Sequence, residues 1–340
     1  EKEMKIEEAL CVLIPLKGRQ KETKRILKYL NDTRCPFKVL IADGGSEDLS
    51  ALINTSNFPN VNLEYFYNGE DTDIPKFMNK MNNAFKKIKE PLTIMVDNDD
   101  FICIRGMIKG IEFLAANKNY SSYRASVTSI PSNQDIFQDS SKYSEDAIER
   151  LKDNIFNRSA GWHNITKTHA HQDLFAVLDK CGVDDLQLVF SIVSFWYSIY
   201  GNCHKSNDKN YYYHIPGNSL VQNRGLYSKY NQWTRDARFK KSASIMFSAV
   251  SRAMQAHGDM KTEHFLEDYI SFHLWDIFRV NGYQQKITTD LVQAFASSSK
   301  EYDDICRENI INKNIDFDVQ NSQDEFITIE DEFKIVKTLI

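Results

Sequence analysis

Three carboxylates within four residues, Asp97, Asp99 and Asp100, directly follow an apolar run at residues 92–96. A run this short, rich in β-branched and large apolar residues, is typical of a buried strand, and open α/β sheets bind ligands at the carboxyl ends of their strands. A turn after the strand would let Asp97 and Asp99 face one cation. Oxygen ligands of this kind suit Mg²⁺ or Mn²⁺ that also holds a diphosphate. A solvated acidic turn is the alternative interpretation, because Asp-x-Asp is a short motif.

The segments before this cluster predict how it is positioned. Apolar runs at residues 9–14, 37–42 and 61–67 are typical of strands, and residues 22–31 and 74–88 have the apolar spacing of helices. Strands that alternate with helices predict a mostly parallel, Rossmann-like sheet with helices on both faces. Further helices are predicted from residue 236 onward, at 243–256, 263–280 and 288–295.

Charged side chains in three loops directly follow predicted strands. The loops concerned carry Lys17 and Arg19, then Asp43 beside Gly44, then the acidic cluster. Because the carboxyl ends of parallel strands meet at one edge of a sheet, we expect these loops to converge. The sequence therefore predicts a ligand site at that edge.

Composition restricts the class of protein. The chain has 340 residues, of which 42% are hydrophobic and 26% charged, as is ordinary for a globular protein. Its net charge of −5 gives no general attraction to polyanions, so nucleic acid is not an expected partner. A two-domain or a single large-domain organisation is compatible with this length.

Cysteine usage and hydropathy predict a cytoplasmic protein. The six cysteines are scattered without a Cys-x-x-Cys pair, which favours free thiols in a reducing compartment. The longest apolar stretch, residues 186–200, is too short to span a bilayer, and no signal peptide is visible. Basic residues between positions 229 and 252 allow peripheral contact with the inner face of the membrane or with an anionic acceptor, although a solvated face is the simpler interpretation.

Four short motifs occur in one order along the chain. They are VLIPLKGR at 12–19, IADGGSED at 41–48, VDNDD at 96–100 and GVDDLQL at 182–188. In order and spacing they resemble the motifs of the family 2 glycosyltransferases, inverting nucleotide-sugar enzymes with the GT-A fold. The resemblance covers about residues 9–215 and does not extend to the last third of the chain.

This resemblance implies a division of the chain. A GT-A domain at residues 1–215 would contain a nucleotide half at about 9–125 and an acceptor half at 126–215. Residues 216–340 would form a mainly helical C-terminal region. The sequence contains no internal repeat and no low-complexity segment that would contradict this division.

The resemblance also implies which residues bind the donor, a nucleoside diphosphate sugar that in this family most often carries uridine. Asp43 would contact the base, and Asp97 and Asp99 would bracket the ribose and the metal. Gly44 stands where many members have a second aspartate, and an arginine-asparagine pair of the family is replaced by lysine and asparagine. The other residues implied at the nucleotide are Pro15, Lys17, Arg19, Lys80 and Asn82.

Metal and base are implied in the same way. Asp97 and Asp99 would hold Mn²⁺ or Mg²⁺, with His214 as a third ligand, although a histidine at that position is more often only hydrogen-bonded. Asp185 would be the general base that takes the proton of the acceptor hydroxyl, with Asp184 as its neighbour. Helix capping is the alternative role of both aspartates, because carboxylates are favoured at a helix start.

Two histidine-containing segments follow the acidic cluster. Residues 161–167 resemble the edge strand that faces the acceptor in related enzymes, so Trp162 and His163 are candidates for contact with sugar, with core packing as the alternative. His169 and His171 are two apart, a spacing that shares a face in a strand but not in a helix, and we expect them to be structural or exposed.

Taken together, the resemblance implies a metal-assisted, inverting transferase that moves a sugar from a UDP-sugar to a glycan acceptor. Its setting would be synthesis of a surface polysaccharide such as capsule or lipopolysaccharide. A sugar nucleotidyltransferase is the nearest alternative, but it would carry a glycine-rich phosphate loop after the first strand, where residues 16–19 contain one glycine. A catalytically silent glycan-binding or scaffold protein with the same fold is the alternative from another class.

Overall fold

A mixed sheet of nine strands runs through the described part of the chain. The structure is a computed structural model, and it describes residues 3–130, 134–135, 141, 143–156, 161–214, 237–256, 297–311, 316–320 and 326–340. The first four strands are β1 (Leu10–Leu16), β2 (Lys38–Asp43), β3 (Asn62–Tyr67) and β4 (Leu92–Met95). They form a parallel block in the order β3-β2-β1-β4. All four begin and end within a few residues of the runs predicted from the sequence.

The remaining strands extend the sheet beyond β4. They are β5 (Phe101–Ile102), β6 (Tyr120–Ile130), β7 (Gln134–Asp135), β8 (Ile165–Lys167) and β9 (Asn202–His214). The full order is β3-β2-β1-β4-β8-β6-β9-β5, and β7 pairs with β6. Strand β8 runs antiparallel to both β4 and β6 and lies between them. The prediction of an edge strand at 161–167 is therefore wrong. Within this segment only Ile165–Lys167 form a strand, β8, and its three residues are buried inside the sheet.

Helices cover both faces of the sheet. They are α1 (Gln20–Asp32), α2 (Ile74–Lys87), α3 (Ile104–Ala116), α4 (Ala147–Phe156), α5 (Thr168–Lys180), α6 (Leu186–Tyr200), α7 (Ala237–Ala256), α8 (Asp303–Asn309) and α9 (Ile329–Leu339). Successive strand residues point to opposite faces. Consequently Cys11 and Leu13 pack in one core with α2, α5, α6 and α7. Val12 and Ile14 pack in a second core with α1, α3 and α9.

This arrangement confirms the predicted α/β class, with helices on both faces and helices in the C-terminal region. The predicted helices at 263–280 and 288–295 lie outside the described residues. Helix α5 was not predicted, and it contains both His169 and His171, each of them buried. No helix in the described part of the chain has the length and apolar composition of a membrane span.

The C-terminal helix α9 is fixed to the start of α3 by a buried carboxylate. Glu332 is fully buried, and its Oε1 accepts a hydrogen bond of 2.7 Å from the backbone N–H of Ile104, at the start of α3. Arg105 donates to the backbone oxygens of Phe326 and Ile327, just before α9. Burial raises the pKa of Glu332 to about 7, well above its usual range.

We expect Glu332→Gln to remove a pH dependence from the stability of the protein. Because the pKa of Glu332 is raised to about 7 in the folded state, this group stabilises the fold most at low pH, and the contribution is lost as the pH rises through about 7. A glutamine keeps the acceptor for Ile104 but does not ionise. Urea unfolding should show that, between pH 5 and pH 8, the free energy of unfolding of the parent falls by roughly 2 kcal/mol more than that of the variant. Equal pH dependence of the two proteins would contradict this assignment.

Candidate active site

The carboxyl ends of β1 to β4 meet at one edge of the sheet, as the sequence predicted. The backbone N–H of Gly44, just after β2, donates to the oxygen of Leu16 at the end of β1, with a distance of 2.9 Å. The N–H of Asp71, in the loop after β3, donates in turn to the oxygen of Gly44 at 2.9 Å. Asp97 follows β4, the strand on the other side of β1. Backbone pairing thus brings four separate loops together.

A cavity of about 260 Å³ opens at this edge. It is lined by Pro15, Leu16, Lys17, Asp71, Thr72, Asp73, Ile74, Phe77, Lys80, Asp97, Trp162, Leu186 and Phe190. This lining includes four residues that the sequence analysis proposed as donor contacts, Pro15, Lys17, Lys80 and Asp97. It also includes Trp162, which was proposed as an acceptor contact. The lining combines an apolar and aromatic part with two lysines and several carboxylates, which suits a ligand that has both a ring and charged groups.

Asp43 lies at the end of β2 but is fully buried. Its Oδ1 accepts a hydrogen bond of 2.7 Å from the backbone N–H of Gly45, and its Oδ2 accepts one of 2.7 Å from the hydroxyl of Tyr65. These contacts hold the turn after β2 against β3. Asn82 is not part of the cavity lining either, and its side-chain amide donates to Asp179 of α5 at 2.6 Å. The proposed donor contacts of both residues stay predictions.

Asp71 is a site residue that the sequence analysis missed. Its carboxylate pairs with the ammonium of Lys80 at 2.5 Å, and the two side chains are only 5% and 1% exposed. Burial raises the pKa of Asp71 and lowers that of Lys80, and the ion pair opposes both shifts. Lys17 donates to the backbone oxygen of Asp71. The strand-end rule, applied to the loop after β3 as it was to the other loops, would have identified this position.

The acidic cluster after β4 divides into two parts. Asp99 turns toward α1, where its Oδ2 pairs with the guanidinium of Arg19 at 2.5 Å and its backbone oxygen accepts from Arg25 at 2.9 Å. Asp97 turns toward the cavity. Burial, and secondarily the charge of Asp99, raises the pKa of Asp97 to about 6. The two carboxylates that were predicted to share a cation therefore point into different surroundings.

Asp97, Asp100 and His163 form a different cluster. One potential ligand atom from each lies within 4.8 Å of the others. The hydroxyl of Tyr211 joins the two carboxylate residues, because it donates to Asp100 Oδ2 at 2.7 Å and accepts from the backbone N–H of Asp97 at 3.1 Å. The ring of His163 stacks on that of Tyr211, with centroids 4.1 Å apart.

This cluster fits a divalent cation by its chemistry. Burial lowers the pKa of His163 to about 4, so its imidazole is neutral at pH 7 and can act as a ligand. Its Nδ1 lies 3.3 Å from the backbone oxygen of Met95, a contact that leaves Nε2 as the ligand atom if Nδ1 carries the proton. Two carboxylates with an imidazole suit Mn²⁺ better than Mg²⁺, which prefers oxygen alone. The backbone of His214 ends β9, and its side chain lies outside the described residues.

Trp162 lies between the cluster of Asp97, Asp100 and His163 and helix α6. Its side chain hydrogen-bonds Asp97, an interaction that opposes the raised pKa of that carboxyl. The ring of Trp162 meets that of Phe190 in α6 edge to face, with centroids 5.0 Å apart. A tryptophan edge-on between a polar cluster and an apolar helix can provide a surface for a sugar ring.

The aspartate pair at 184 and 185 lies directly before α6. The Asp184 carboxylate accepts a hydrogen bond of 3.2 Å from the hydroxyl of Ser242, and the backbone N–H of Asp184 donates to that hydroxyl oxygen at 3.3 Å. Asp184 therefore joins the start of α6 to α7. Asp185 is buried, with 2% of its surface exposed, and its backbone oxygen accepts from Val189 in the first helical turn. Leu186, the next residue, lines the cavity. Neither aspartate lines the cavity, and Asp184 is directed toward α7.

Comparison with known proteins gives a relationship at the level of the fold. No family model matches the sequence, and no curated protein does. Among solved structures, S. aureus TarS 1-349 in complex with UDP-GlcNAc is similar with a TM-score of 0.50 and 14% sequence identity, over 90% of this chain and 91% of that one. A longer TarS structure gives a TM-score of 0.49 at 12% identity, and 55% of that chain is covered. The mannosyltransferase PcManGT from Pyrobaculum calidifontis, in complex with GDP-Man and Mn²⁺, gives 0.42 at 11% identity, a level that does not establish a shared fold. The shared fold with TarS 1-349 agrees with the predicted architecture.

Proposed function

We propose that the chain is a nucleotide-sugar glycosyltransferase that binds its donor in the cavity at the ends of β1 to β4. One observation carries the proposal: Lys17, Lys80 and Asp97 line a single cavity together with an aromatic wall. A nucleoside diphosphate sugar has a planar base, two phosphates and a sugar ring, and this lining offers groups for each of them. The TarS structure that shares the fold holds UDP-GlcNAc, which supports the same class of ligand.

The proposed reaction inverts the anomeric centre. The acceptor hydroxyl oxygen attacks the anomeric carbon, the bond from that carbon to the diphosphate breaks, and Asp185 takes the hydroxyl proton. Lys17 lies at the cavity and would neutralise part of the diphosphate charge. A divalent cation held by Asp97, with Asp100 and His163, would supply further charge neutralisation to the leaving diphosphate.

Calorimetry with UDP, GDP, CDP and the corresponding triphosphates, with and without Mn²⁺, tests the donor class. We expect a nucleoside diphosphate to bind more tightly with Mn²⁺ than without. Lys17→Gln should weaken that binding about tenfold, as expected for loss of one charge-assisted contact. Lys28→Gln is the matched control, because Lys28 is exposed on α1 and pairs only with Asp32 among the contacts described for it.

Three results would count against the proposal in different ways. No binding of any nucleotide would contradict a nucleotide-sugar enzyme and favour a protein that only keeps the fold. Tight binding of a triphosphate alone would favour a sugar nucleotidyltransferase. Equal weakening by Lys17→Gln and Lys28→Gln would show that the cavity is not where the nucleotide binds.

A further inference from the structure

Asp71 presents an unsatisfied acceptor at the wall of the proposed donor cavity. Its Oδ2 is paired with Lys80, but its buried Oδ1 has no hydrogen-bond partner among the described residues. The Asp71 side chain is 5% exposed and still belongs to the cavity lining. A buried acceptor without a partner is costly, so a ligand N–H that reaches this oxygen would recover that free energy.

The surrounding chain holds this carboxylate in one place. The N–H of Asp71 donates to the backbone oxygen of Gly44, and a Cβ added at Gly44 would lie 2.0 Å from Asp71 Oδ2. The carboxylate of Asp71 therefore fills the space that any side chain at position 44 would need. Asp43, one residue earlier, is fully buried with both oxygens already accepting hydrogen bonds. Of these two aspartates, Asp71 is the one with an oxygen that accepts no hydrogen bond from the described residues.

Lys80 places a donor next to this acceptor. Its ammonium donates to Asp71 Oδ2 at 2.5 Å and to the backbone oxygen of Leu16 at 3.0 Å. An ammonium has three N–H donors, so one remains beyond these two contacts. Lys80 Nζ also lies over the ring of Phe77, 5.1 Å from its centroid. An acceptor and a donor thus lie side by side near an aromatic face.

We infer that Asp71 and Lys80 read the base of the donor nucleotide, with Asp71 Oδ1 accepting a ring N–H and Lys80 donating to the adjacent carbonyl oxygen. Uracil offers this pattern through N3–H beside a carbonyl, and guanine through N1–H beside O6. Cytosine and adenine present a ring nitrogen without hydrogen, which would face the carboxylate with a lone pair. The inference rests on the proposed function and specifies which bases that site accepts.

The first test uses the unmodified protein with UDP, CDP and N3-methyl-UDP, which share the ribose and diphosphate. We expect UDP to bind on the order of 10- to 100-fold more tightly than the other two, the effect of one hydrogen bond to a charged acceptor. Equal affinity for UDP and CDP, or for UDP and its N3-methyl derivative, would overturn the inference while leaving the proposed function in place. If GDP alone binds, the same comparison is made between GDP and ADP; if UDP, CDP and GDP all fail to bind, the proposed function itself has failed.

The second test is Asp71→Asn. Because the ammonium of Lys80 can only donate, the asparagine must direct its carbonyl oxygen to Lys80, and its NH₂ then replaces Asp71 Oδ1. A donor now faces the base, so the UDP-to-CDP affinity ratio should fall at least about tenfold, with CDP binding improved relative to UDP. A purely structural ion pair predicts instead that both affinities fall together and the ratio stays unchanged, which would overturn the inference.

Asp48→Asn is the matched control for this substitution. Asp48 lies in the turn after β2, where its side chain accepts from the N–H of Ser50 at 2.8 Å, and it does not line the cavity. We expect the parental UDP-to-CDP ratio in this variant. If Asp71→Asn fails to fold, the comparison of UDP with N3-methyl-UDP on the unmodified protein decides the question alone.

Discussion

Asp185→Asn is expected to slow sugar transfer on the order of 100-fold or more while donor binding stays close to parental, because removal of a positioned general base has an effect of this size. Asparagine keeps the size of aspartate and most of its helix-capping ability, so a structural role before α6 would survive the change. Asp185 is buried directly before α6 and does not itself line the cavity, whereas Leu186, the next residue, does. Turnover with a verified acceptor, and calorimetric affinity for the donor nucleotide, should be measured on the same preparations.

Asp184→Asn is the control one residue away. Asp184 accepts from Ser242 of α7, and an asparagine retains that acceptor, so we expect turnover within about twofold of the parent. Near-parental turnover in both variants would place the base elsewhere and leave this pair with capping and helix-joining roles only. A parallel loss of turnover and donor affinity in Asp185→Asn would indicate a role in positioning rather than in proton transfer.

Asp97→Asn is expected to lower the affinity for Mn²⁺ on the order of 100-fold or more, since even indirect partners of metal ligands change affinity by 10- to 100-fold. Asp97 belongs both to the pair predicted from the sequence and to the cluster with Asp100 and His163. Its substitution therefore tests whether a cation binds at this edge of the sheet. Mn²⁺ binding can be followed directly by electron paramagnetic resonance, without an activity assay.

Two further variants separate the alternative ligand sets. His163→Gln should weaken Mn²⁺ if the ligands are those of the cluster, and Asp99→Asn should weaken it if Asp97 and Asp99 share the ion. The pairing of Asp99 with Arg19 at 2.5 Å favours the first outcome. Parental affinity in Asp97→Asn would contradict both sets and place the cation outside this edge of the sheet.

The amino-acid sequence by itself determined the parallel block of the fold and the place of the site. The alternation of short apolar runs with amphipathic helices is a matter of local periodicity, which is visible in the sequence of β1 to β4 and of α1 and α2. The convergence of Lys17 and Asp97 followed from a rule of topology, because strands in such a block all end at the same edge. Neither conclusion required knowledge of any side-chain direction.

Only the tertiary structure decided which side chains at that edge face the cavity. Asp97 and Asp99 are equivalent in the sequence, but Arg19, eighty positions earlier, pairs with Asp99 and leaves Asp97 on the cavity side. The cluster of Asp97, Asp100 and His163 depends on residues brought together by the segment before β8, whose position between β4 and β6 no local pattern specifies. Contacts over such separations are set by packing and register, which a pattern of a few residues does not encode.

Asp71 illustrates the same limit from the other direction. In the sequence it is one of several polar residues in the loop after β3, and Gly44 reads only as the absence of an expected aspartate. The close approach of the Asp71 carboxylate to Gly44, and the ion pair with Lys80 on α2, together give both positions a common explanation. The sequence determined which strand ends could carry a site. The packing of loops over those ends decided which carboxylates can accept a hydrogen bond from a ligand, because some of them already bind neighbours that are distant in the chain.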